Sequence, residues 1–305
     1  MNKEELFRQI DRLEQSARSS RLQRFSGTPG RYLSAAFFNK LIYPITHKEC
    51  KADTTTFFDS KIRIALPAGT DLYLIGGKSH DSEIRLARFI TSFLESGECF
   101  VDVGAHFGYF SLLASKIVAN KGRVLSFEAA SRNFELLKEN CRGLANIELF
   151  NNAVSDSREM LTFYEFPALY SEYNTVDVSQ FKQESWFKKY KPTQTQVQSL
   201  TLDEVLEEKK IVPAVVKIDV EGAEFKVING MKKTLSENPV VVVMEYLHPS
   251  RHNTAHQKAA ELLKNLGFEQ YIIIRTGDLK QIDGIDEYLV RENLDSENLV
   301  FKKSS

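Results

Sequence analysis

From residue 98 onwards, short apolar runs alternate with segments whose apolar positions recur every three or four residues. The runs predict buried strands and the periodic segments predict amphipathic helices. Strand candidates are 99–103, 123–128, 146–150, 214–219, 239–245, 269–274 and 297–301, and helical patterns cover 108–119, 131–143, 222–236 and 254–266. The run 240–244 is apolar throughout, which is typical of a strand covered on both faces. The alternation predicts an α/β fold with a doubly wound, mostly parallel sheet and right-handed crossovers.

Residues 1–97 follow a different pattern and predict a helical and strand extension to a main domain at 98–305. Apolar residues at spacings of four, three and four predict an amphipathic N-terminal helix, with Leu6, Ile10, Leu13 and Ala17 on one face. The stretch 26–30 contains glycine and proline and breaks the pattern. Two further apolar runs, 62–66 and 71–75, predict strands joined by a Pro-Ala-Gly-Thr turn.

The first 50 residues carry nine Lys/Arg and five Asp/Glu. Between 18 and 48, basic residues precede an apolar segment, namely Arg18, Arg21, Arg24 and Arg31 before Phe37, Phe38, Leu41, Ile42 and Tyr43. One interpretation is a surface that contacts an anionic membrane or a polyanionic acceptor. The simpler interpretation is a helical cap packed on the core, or a contact within a dimer.

The stretch 155–212 interrupts the alternation of strands and helices and is interpreted as an insertion. It contains two strand-like pieces, 160–166 and 194–200, which flank a polar section rich in aromatic residues. Insertions this long are usually functional. We expect this one, with the N-terminal region, to shape an acceptor pocket, and Tyr173 and Asn174 to contact the acceptor.

The composition narrows the class of protein. A net charge of -1 gives no global attraction for nucleic acid, and we expect no nucleic-acid partner. The three cysteines fit neither a zinc site nor a disulfide framework, and no metal is expected from them. No apolar run is long enough to span a membrane, and the N-terminus lacks the apolar stretch of a signal peptide. The expected location is the cytoplasm.

The run 100–111, FVDVGAHFGYFS, has the pattern of a strand that turns sharply into a helix. Asp102 ends the strand, and glycines at 104 and 108 leave the backbone bare for a ligand. The next two strands end at Glu128 and at Asn152-Ala153. A carboxylate at Glu128 can accept hydrogen bonds from both hydroxyls of a ribose, and Asn152 is placed to reach an adenine edge.

The spacing of the two glycines distinguishes between nucleoside cofactors. A pyrophosphate requires G-x-G-x-x-G, but His106 occupies the place of the second glycine. S-adenosylmethionine has no phosphate, and its cationic groups suit an acidic residue such as Asp102. The pattern therefore favours S-adenosylmethionine. The simpler alternative is that Gly104 and Gly108 serve tight packing and that Glu128 caps the next helix.

Residues 98 to about 249 resemble the FkbM family of S-adenosylmethionine-dependent methyltransferases. The resemblance rests on 100–111, on NAVSD at 152–156, on SLTLDE at 199–204 and, most distinctively, on VKIDVEGAE at 216–224. The family often has proline after the ribose-binding glutamate, whereas this chain has Ala129. The resemblance implies a class I methyltransferase fold (Rossmann-like) and methyl transfer, often to a hydroxyl of a sugar or natural product.

Candidate catalytic residues lie at the ends of the fourth and fifth predicted strands. They are Asp219, Glu221, Glu245 and His248, with Asp219 also a candidate for cofactor binding. An alcohol acceptor must lose a proton, which calls for a general base or a metal. Glu221 and Glu224 alternatively cap the following helix, and a divalent ion on these oxygens is chemically reasonable although the spacing does not indicate one.

Lys217 and His106 add to this interpretation. Lys217 interrupts an apolar strand two residues before Asp219, and we expect it to pair with a carboxylate since an unpaired buried lysine is costly. His106 is expected to line the cleft between donor and acceptor.

The resemblance thus implies a methyltransferase that acts on a hydroxyl of a saccharide or natural product, a small-molecule or glycan acceptor. A non-catalytic module that binds S-adenosylmethionine or a nucleotide as a scaffold or subunit is the alternative. An NAD-dependent oxidoreductase is a third hypothesis, against which the missing G-x-G-x-x-G argues.

Overall fold

The computed structural model describes residues 2–20, 27–182 and 184–304. The strands are β1 Cys50–Thr55, β2 Lys61–Leu66, β3 Cys99–Val103, β4 Arg123–Phe127, β5 Ile147–Phe150, β6 Ala153–Val154, β7 Met160–Glu165, β8 Thr193–Leu200, β9 Val215–Ile218, β10 Val241–Leu247, β11 Phe268–Ile273, β12 Leu279–Gln281 and β13 Ser296–Lys303.

The α-helices are α1 Lys3–Arg18, α2 Pro29–Phe37, α3 Tyr43–Thr46, α4 Thr70–Ile75, α5 Asp81–Phe93, α6 Tyr109–Val118, α7 Ser131–Asn140, α8 Leu202–Lys209, α9 Glu224–Asn229, α10 Lys232–Glu237, α11 Thr254–Asn265 and α12 Ile285–Glu292. A π-helical turn, Phe38–Ile42, joins α2 to α3, and short 3-10 helices include Ala168–Tyr173 and Pro249–Arg251. None of the helices described is both long and apolar enough to cross a bilayer.

The main sheet has the strand order β12-β11-β13-β10-β9-β3-β4-β5. Strands β10, β9, β3, β4 and β5 are parallel to one another, and β13 is antiparallel to β10 and β11. The chain builds β3, β4 and β5 outwards and then returns to place β9 beside β3, which makes the β3–β9 edge the point where the strand order reverses. The predicted α/β fold, doubly wound and mostly parallel, is confirmed, and ligands of such sheets bind at this reversal.

Two apolar cores cover the two faces of the sheet. One contains side chains of α1, α5, α6 and α7, and the other contains side chains of α8 to α12. The predicted apolar face of α1 is confirmed, since Leu6, Ile10 and Leu13 are buried in the first core. Strands β7 and β8 of the inserted stretch join β6 in a second small sheet, in the order β6-β8-β7.

Two predicted elements are wrong. Residues 71–75 are helical rather than extended, and β2 pairs instead with β1, antiparallel. An apolar run this short does not distinguish strand from helix. Gly76 ends α4 at φ +70°, and a Cβ there would lie 2.7 Å from the carbonyl oxygen of Thr55.

The single helix predicted over 222–236 is divided into α9 and α10. The break falls at Gly230, where a Cβ would lie 2.0 Å from the carbonyl oxygen of Ser155. The chain after β6 therefore approaches the backbone at this point so closely that a side chain has no room. A sequence pattern carries no sign of that long-range contact.

Candidate active site

A cavity of about 650 Å³ opens at the carboxyl ends of β3, β4, β9 and β10. Pockets for small molecules and cofactors usually measure about 300–1,000 Å³. Its wall also includes α4 and the start of α5 on one side and the inserted stretch on another. Of the predicted site residues, the cavity is lined by Gly104, His106, Glu128, Asn152, Ala153, Asp219, Glu221 and Glu245, together with Tyr173 and Asn174.

The turn after β3 is tied to both neighbouring strands. The backbone N–H groups of Gly104 and Ala105 donate to the carbonyl oxygen of Phe127, at 3.0 and 2.9 Å. Gly104 has φ +80°, and a Cβ there would lie 1.8 Å from the carbonyl oxygen of Asp219. Glycine at 104 thus lets the ends of β3, β4 and β9 converge under the cavity.

Gly108 lies outside the cavity lining. It adopts φ +88° immediately before α6, and a Cβ would approach Leu137 Cδ1 to 2.6 Å. The two glycines of the motif therefore lie in different environments. Gly104 borders the cavity, and Gly108 faces α7. The predicted contact of Gly108 with a cofactor remains a prediction.

Asp102 is buried below the cavity rather than in its wall. Its carboxylate accepts a hydrogen bond from Ser111 Oγ at 2.6 Å and pairs with Lys217 Nζ at 3.3 Å. Lys217 also pairs with Asp219 at 3.3 Å. Burial alone would lower the pKa of Lys217, but the two carboxylates outweigh it and raise that pKa. The expected partner of Lys217 is confirmed, and the lysine links the ends of β3 and β9.

Glu128 lines the cavity just after β4. Its two oxygens accept from the backbone N–H groups of His106 at 2.7 Å and Ala130 at 2.9 Å. Burial raises the pKa of Glu128 to about 7, against the lowering effect of these donors. The Asn133 side chain also hydrogen-bonds to this carboxylate. A carboxylate has about four lone pairs, so Glu128 can still accept from a ribose while the backbone fixes its orientation.

His106 and Asn152 flank this carboxylate. His106 has φ +50°, and its Nε2 lies 3.1 Å from Ser171 Oγ of the insertion. Burial lowers the pKa of His106 to about 4, so the imidazole is neutral at pH 7. The side-chain amide of Asn152 donates to the carbonyl oxygen of Gln198 at 3.0 Å, which anchors it to β8.

Asp219, Glu221 and Glu245 form a compact group, here called the carboxylate cluster. One oxygen from each lies within 4.8 Å of the others. Burial, and then the neighbouring Asp219, raises the pKa of Glu245 to about 8. Burial, and then Glu245, raises the pKa of Glu221 well above its ordinary value. Like charges this close do not all ionise, so the cluster retains a proton near neutral pH.

Glu221 adopts φ +52°, a left-handed conformation that is uncommon for a residue other than glycine. Its carbonyl oxygen accepts from Thr175 Oγ1 at 2.6 Å. A side chain of the insertion thus supports the backbone at the position where a carboxylate enters the cavity. Strained backbone of this kind concentrates at functional sites.

One acidic residue, Glu224, and one basic candidate, His248, lie outside the carboxylate cluster. Glu224 accepts from the backbone N–H of Gly222 and lies 3.3 Å from His256 Nε2, which fits the alternative of a capping residue. His248 lies outside the cavity lining, and its Nδ1 accepts from the backbone N–H of Ser250 at 3.2 Å. The structure does not bring His248 together with the carboxylate cluster, and its catalytic role remains a prediction.

The cavity also contains charged residues that the sequence analysis did not single out. Lys78 Nζ pairs with Glu172 of the insertion at 2.8 Å and with Glu83 of α5 at 3.2 Å. Burial would lower the pKa of Lys78, but Glu172 and Glu83 outweigh it and raise that pKa. Burial raises the pKa of Glu83 to about 7. Glu172 lies 94 residues after Lys78, and the three residues form no recognisable motif, so no local signal marks them.

The residues at this edge fit S-adenosylmethionine. Glu128 suits a ribose, and Asn152 and Ala153, the residues predicted to lie beside the adenine, line the same cavity. Acidic groups around Asp219 suit the cationic amino and sulfonium groups. The close backbone approach at Gly104, where a Cβ has no room, forms the floor between them.

Comparison with known protein families identifies the family of this chain. The model of the methyltransferase FkbM domain family matches residues 102–269, which is more than half of the chain. No curated protein matches the chain.

Solved structures of methyltransferases are similar to this chain. The methyltransferase FkbM from Methylobacillus flagellatus KT shares 13% identity at a TM-score of 0.43, over 77% of this chain and 52% of that one, so the chain spans about half of its length. A TehB-like SAM-dependent methyltransferase from Corynebacterium glutamicum ATCC 13032 shares 14% identity at a TM-score of 0.39. The match covers 77% of this chain and 93% of that one. Fibrillarin of Aeropyrum pernix, whose structure is in complex with natively bound S-adenosyl-L-methionine, shares 12% identity at a TM-score of 0.39. The match covers 69% of this chain and 68% of that one. The family match shows that the chain belongs to the FkbM family of methyltransferases, with S-adenosylmethionine as its methyl donor.

Proposed function

We propose that this chain methylates a hydroxyl group of a saccharide or natural-product acceptor. The observation that carries the proposal is the carboxylate cluster, three acidic side chains with oxygens within 4.8 Å of one another at the carboxyl ends of β9 and β10. An alcohol is a poor nucleophile until its proton is removed, and this cluster supplies a base in the same cavity as the cofactor groups.

S-adenosylmethionine supplies, when bound, a methyl group on a sulfonium that needs no further activation. The protein then has to align the acceptor and accept its proton. We assign the proton acceptor to Glu221, with Glu245 beside it. Only an ionised carboxylate can accept the proton. We place the proton that the cluster retains on Glu245, which leaves Glu221 ionised, and burial makes the Glu221 carboxylate a stronger base than an ordinary one.

Asp219 has a different proposed role. It pairs with Lys217 and lies beside the Gly104 turn, so we place it against the cationic part of the donor. Asp102 acts from below by holding Lys217.

The three cysteines of the chain are free thiols, with Cys99 and Cys141 buried. Free thiols support a reducing compartment, and we propose the cytoplasm.

The test combines calorimetry with turnover. S-adenosylhomocysteine and NAD are titrated into the protein, and release of S-adenosylhomocysteine is measured with a panel of sugars, nucleotide-linked sugars and polyhydroxylated natural products. For Glu221→Gln we expect turnover to fall about 100-fold or more, with the Kd for S-adenosylhomocysteine within about threefold of wild type. Glu221→Asp, which keeps the carboxylate, is the matched control and should recover part of the turnover.

Three results would contradict the proposal. Unchanged turnover in Glu221→Gln would show that Glu221 is not the base. Turnover that EDTA abolishes and Mg²⁺ restores assigns the cluster to a metal ion instead. Tight binding of S-adenosylhomocysteine without turnover on any hydroxyl acceptor of the panel favours the alternative, a non-catalytic binding module.

A further inference from the structure

The helical segment 29–46, composed of α2, the π-helical turn and α3, presents a row of apolar side chains to solvent. We call it the surface helix. Its exposed side chains are Leu33 at 58%, Phe37 at 57%, Leu41 at 54% and Ile45 at 81% of their full accessible area. More than half of each of these side chains is therefore open to solvent. Of the eleven large apolar side chains exposed in the described residues, five lie between 33 and 45, so the exposure is clustered.

The row stays on one side because of the π-helical turn. In an α-helix a spacing of four residues drifts by about 40° per step, since 3.6 residues complete a turn. The turn at Phe38–Ile42 has i→i+5 hydrogen bonding and takes up an additional residue, which offsets part of the drift. The opposite side of the surface helix buries Ala35 and Tyr43. The segment is therefore amphipathic, with its apolar outer row away from the protein.

The chain immediately before and along this row is basic. Residues 15–48 contain no Asp or Glu and six basic residues, Arg18, Arg21, Arg24, Arg31, Lys40 and Lys48. Arg31, Lys40 and Lys48 are exposed, whereas Arg21 and Arg24 lie outside the described residues. An apolar row flanked by basic side chains is the composition of helices that lie in the surface of an anionic bilayer.

The inner side of the surface helix is connected to the cavity. Asn39 Nδ2 donates to Thr70 Oγ1 at 3.0 Å, and Thr70 lines the cavity. The hydroxyl oxygen of Tyr43 accepts from the backbone N–H of Leu169 at 3.1 Å, two residues before the cavity residue Ser171. A surface bound by the outer row therefore lies next to two of the cavity walls.

We propose that the surface helix docks the protein on an anionic lipid surface. A second copy of the chain is the alternative partner that could cover the apolar row. A two-fold interface places the same patch against itself, so basic residues without acidic partners would face each other. An anionic membrane supplies both the apolar interior and the opposite charge. The inference goes beyond methyl transfer and does not depend on it.

Cosedimentation with lipid vesicles tests the docking. The full chain is mixed at low salt with vesicles of phosphatidylcholine containing phosphatidylglycerol, and with vesicles of phosphatidylcholine alone. Wild type should bind the anionic vesicles more strongly, and salt should weaken the binding. Replacement of Leu33, Phe37 and Ile45 together by serine should lower the partition coefficient about tenfold or more.

Matched variants separate this surface from general effects. Lys40→Glu with Lys48→Glu should lower binding to anionic vesicles about tenfold or more. Lys258→Glu with Lys264→Glu, two exposed lysines of α11, makes the same change in net charge and should leave binding within about twofold. Val290→Ser removes an apolar side chain of similar exposure, 58%, and serves as the apolar control. Unchanged binding of S-adenosylhomocysteine shows that each variant is folded.

Three outcomes would overturn the proposal. One is that wild type fails to sediment with anionic vesicles at low salt. Another is that the control variants lose as much binding as the surface-helix variants. The third is a dimer, seen by analytical ultracentrifugation, that the triple serine variant converts to a monomer while neither protein binds vesicles. That last result would assign the row to a second copy of the chain.

Discussion

At the scale of single residues, Gly104 is held by contact with the neighbouring strand as well as by its own backbone conformation. Its φ of +80° is accessible to glycine at little cost, and the space for a Cβ is filled by the carbonyl oxygen of Asp219 at 1.8 Å. Gly143 has nearly the same conformation, φ +83°, with nothing within 4 Å of a Cβ. The two positions therefore separate conformational strain from close approach.

We predict that Gly104→Ala weakens binding of S-adenosylhomocysteine by tenfold or more and lowers the free energy of unfolding by about 2–4 kcal/mol. Gly143→Ala carries only the strain and should cost about 1 kcal/mol with the ligand affinity retained. Calorimetry and urea denaturation measure the two quantities. Equal effects of the two substitutions would show that the contact with Asp219 contributes nothing.

The carboxylate cluster makes stability depend on pH. The pKa of Glu245 is raised from an ordinary value of 4.5 to about 8 by burial and by Asp219. In this window the folded protein binds more protons than the unfolded chain, so the stabilisation is complete below about pH 4.5 and is lost as the pH rises through about 8. Glu245→Gln stays neutral throughout and should lose less stability over that range.

We therefore predict that the difference in unfolding free energy between Glu245→Gln and wild type shifts in favour of the variant by about 4 kcal/mol from pH 5 to pH 9. Urea denaturation at a series of pH values measures it. Glu208→Gln, an exposed glutamate of α8, is the control and should show no such shift. A constant difference for Glu245→Gln would mean that this carboxyl does not hold the proton.

At the scale of elements, strands buried on both faces were the most predictable. The apolar runs that become β3, β4, β9 and β10 agree with the structure to within about two residues, because burial on both faces excludes polar side chains. Elements that are buried on one side only were harder to predict from the sequence. The run 71–75 is α4, and helix α5 was not predicted although Ile84, Phe89 and Ile90 are buried. Short apolar stretches satisfy both periods, and tertiary contacts choose between them.

At the scale of the whole molecule, the cavity joins segments that are distant in the chain. The sheet edge supplies the residues that we propose bind the cofactor, α5 supplies Glu83, and the insertion supplies Ser171 and Glu172. The ion pair between Lys78 and Glu172 joins the insertion to the region before α5. The single tryptophan, Trp186, stacks on Tyr170 of the same insertion with ring centroids 4.2 Å apart, and it reports on the packing there.

We predict that Glu172→Gln raises the KM for the acceptor about threefold or more and leaves the Kd for S-adenosylhomocysteine within about twofold, because the insertion loses its charged tether. Acrylamide should also quench Trp186 fluorescence more strongly. Glu184→Gln, in the same insertion but outside the cavity lining, is the matched control. A loss of cofactor affinity without a change in KM would place Glu172 at the donor instead.

The sequence by itself determined the parallel sheet, the glycine turn and the order of acidic strand ends. Each of these depends on local pattern: apolar runs, glycine spacing and the residue that follows a strand. Only the tertiary structure decided which of these residues share the cavity. It placed Asp102 and Gly108 behind the wall, separated His248 from the carboxylate cluster, and added Lys78, Glu83 and Glu172. The physical reason is that burial, pKa and ion pairing arise from segments that meet only in the folded chain, and no local pattern records those meetings.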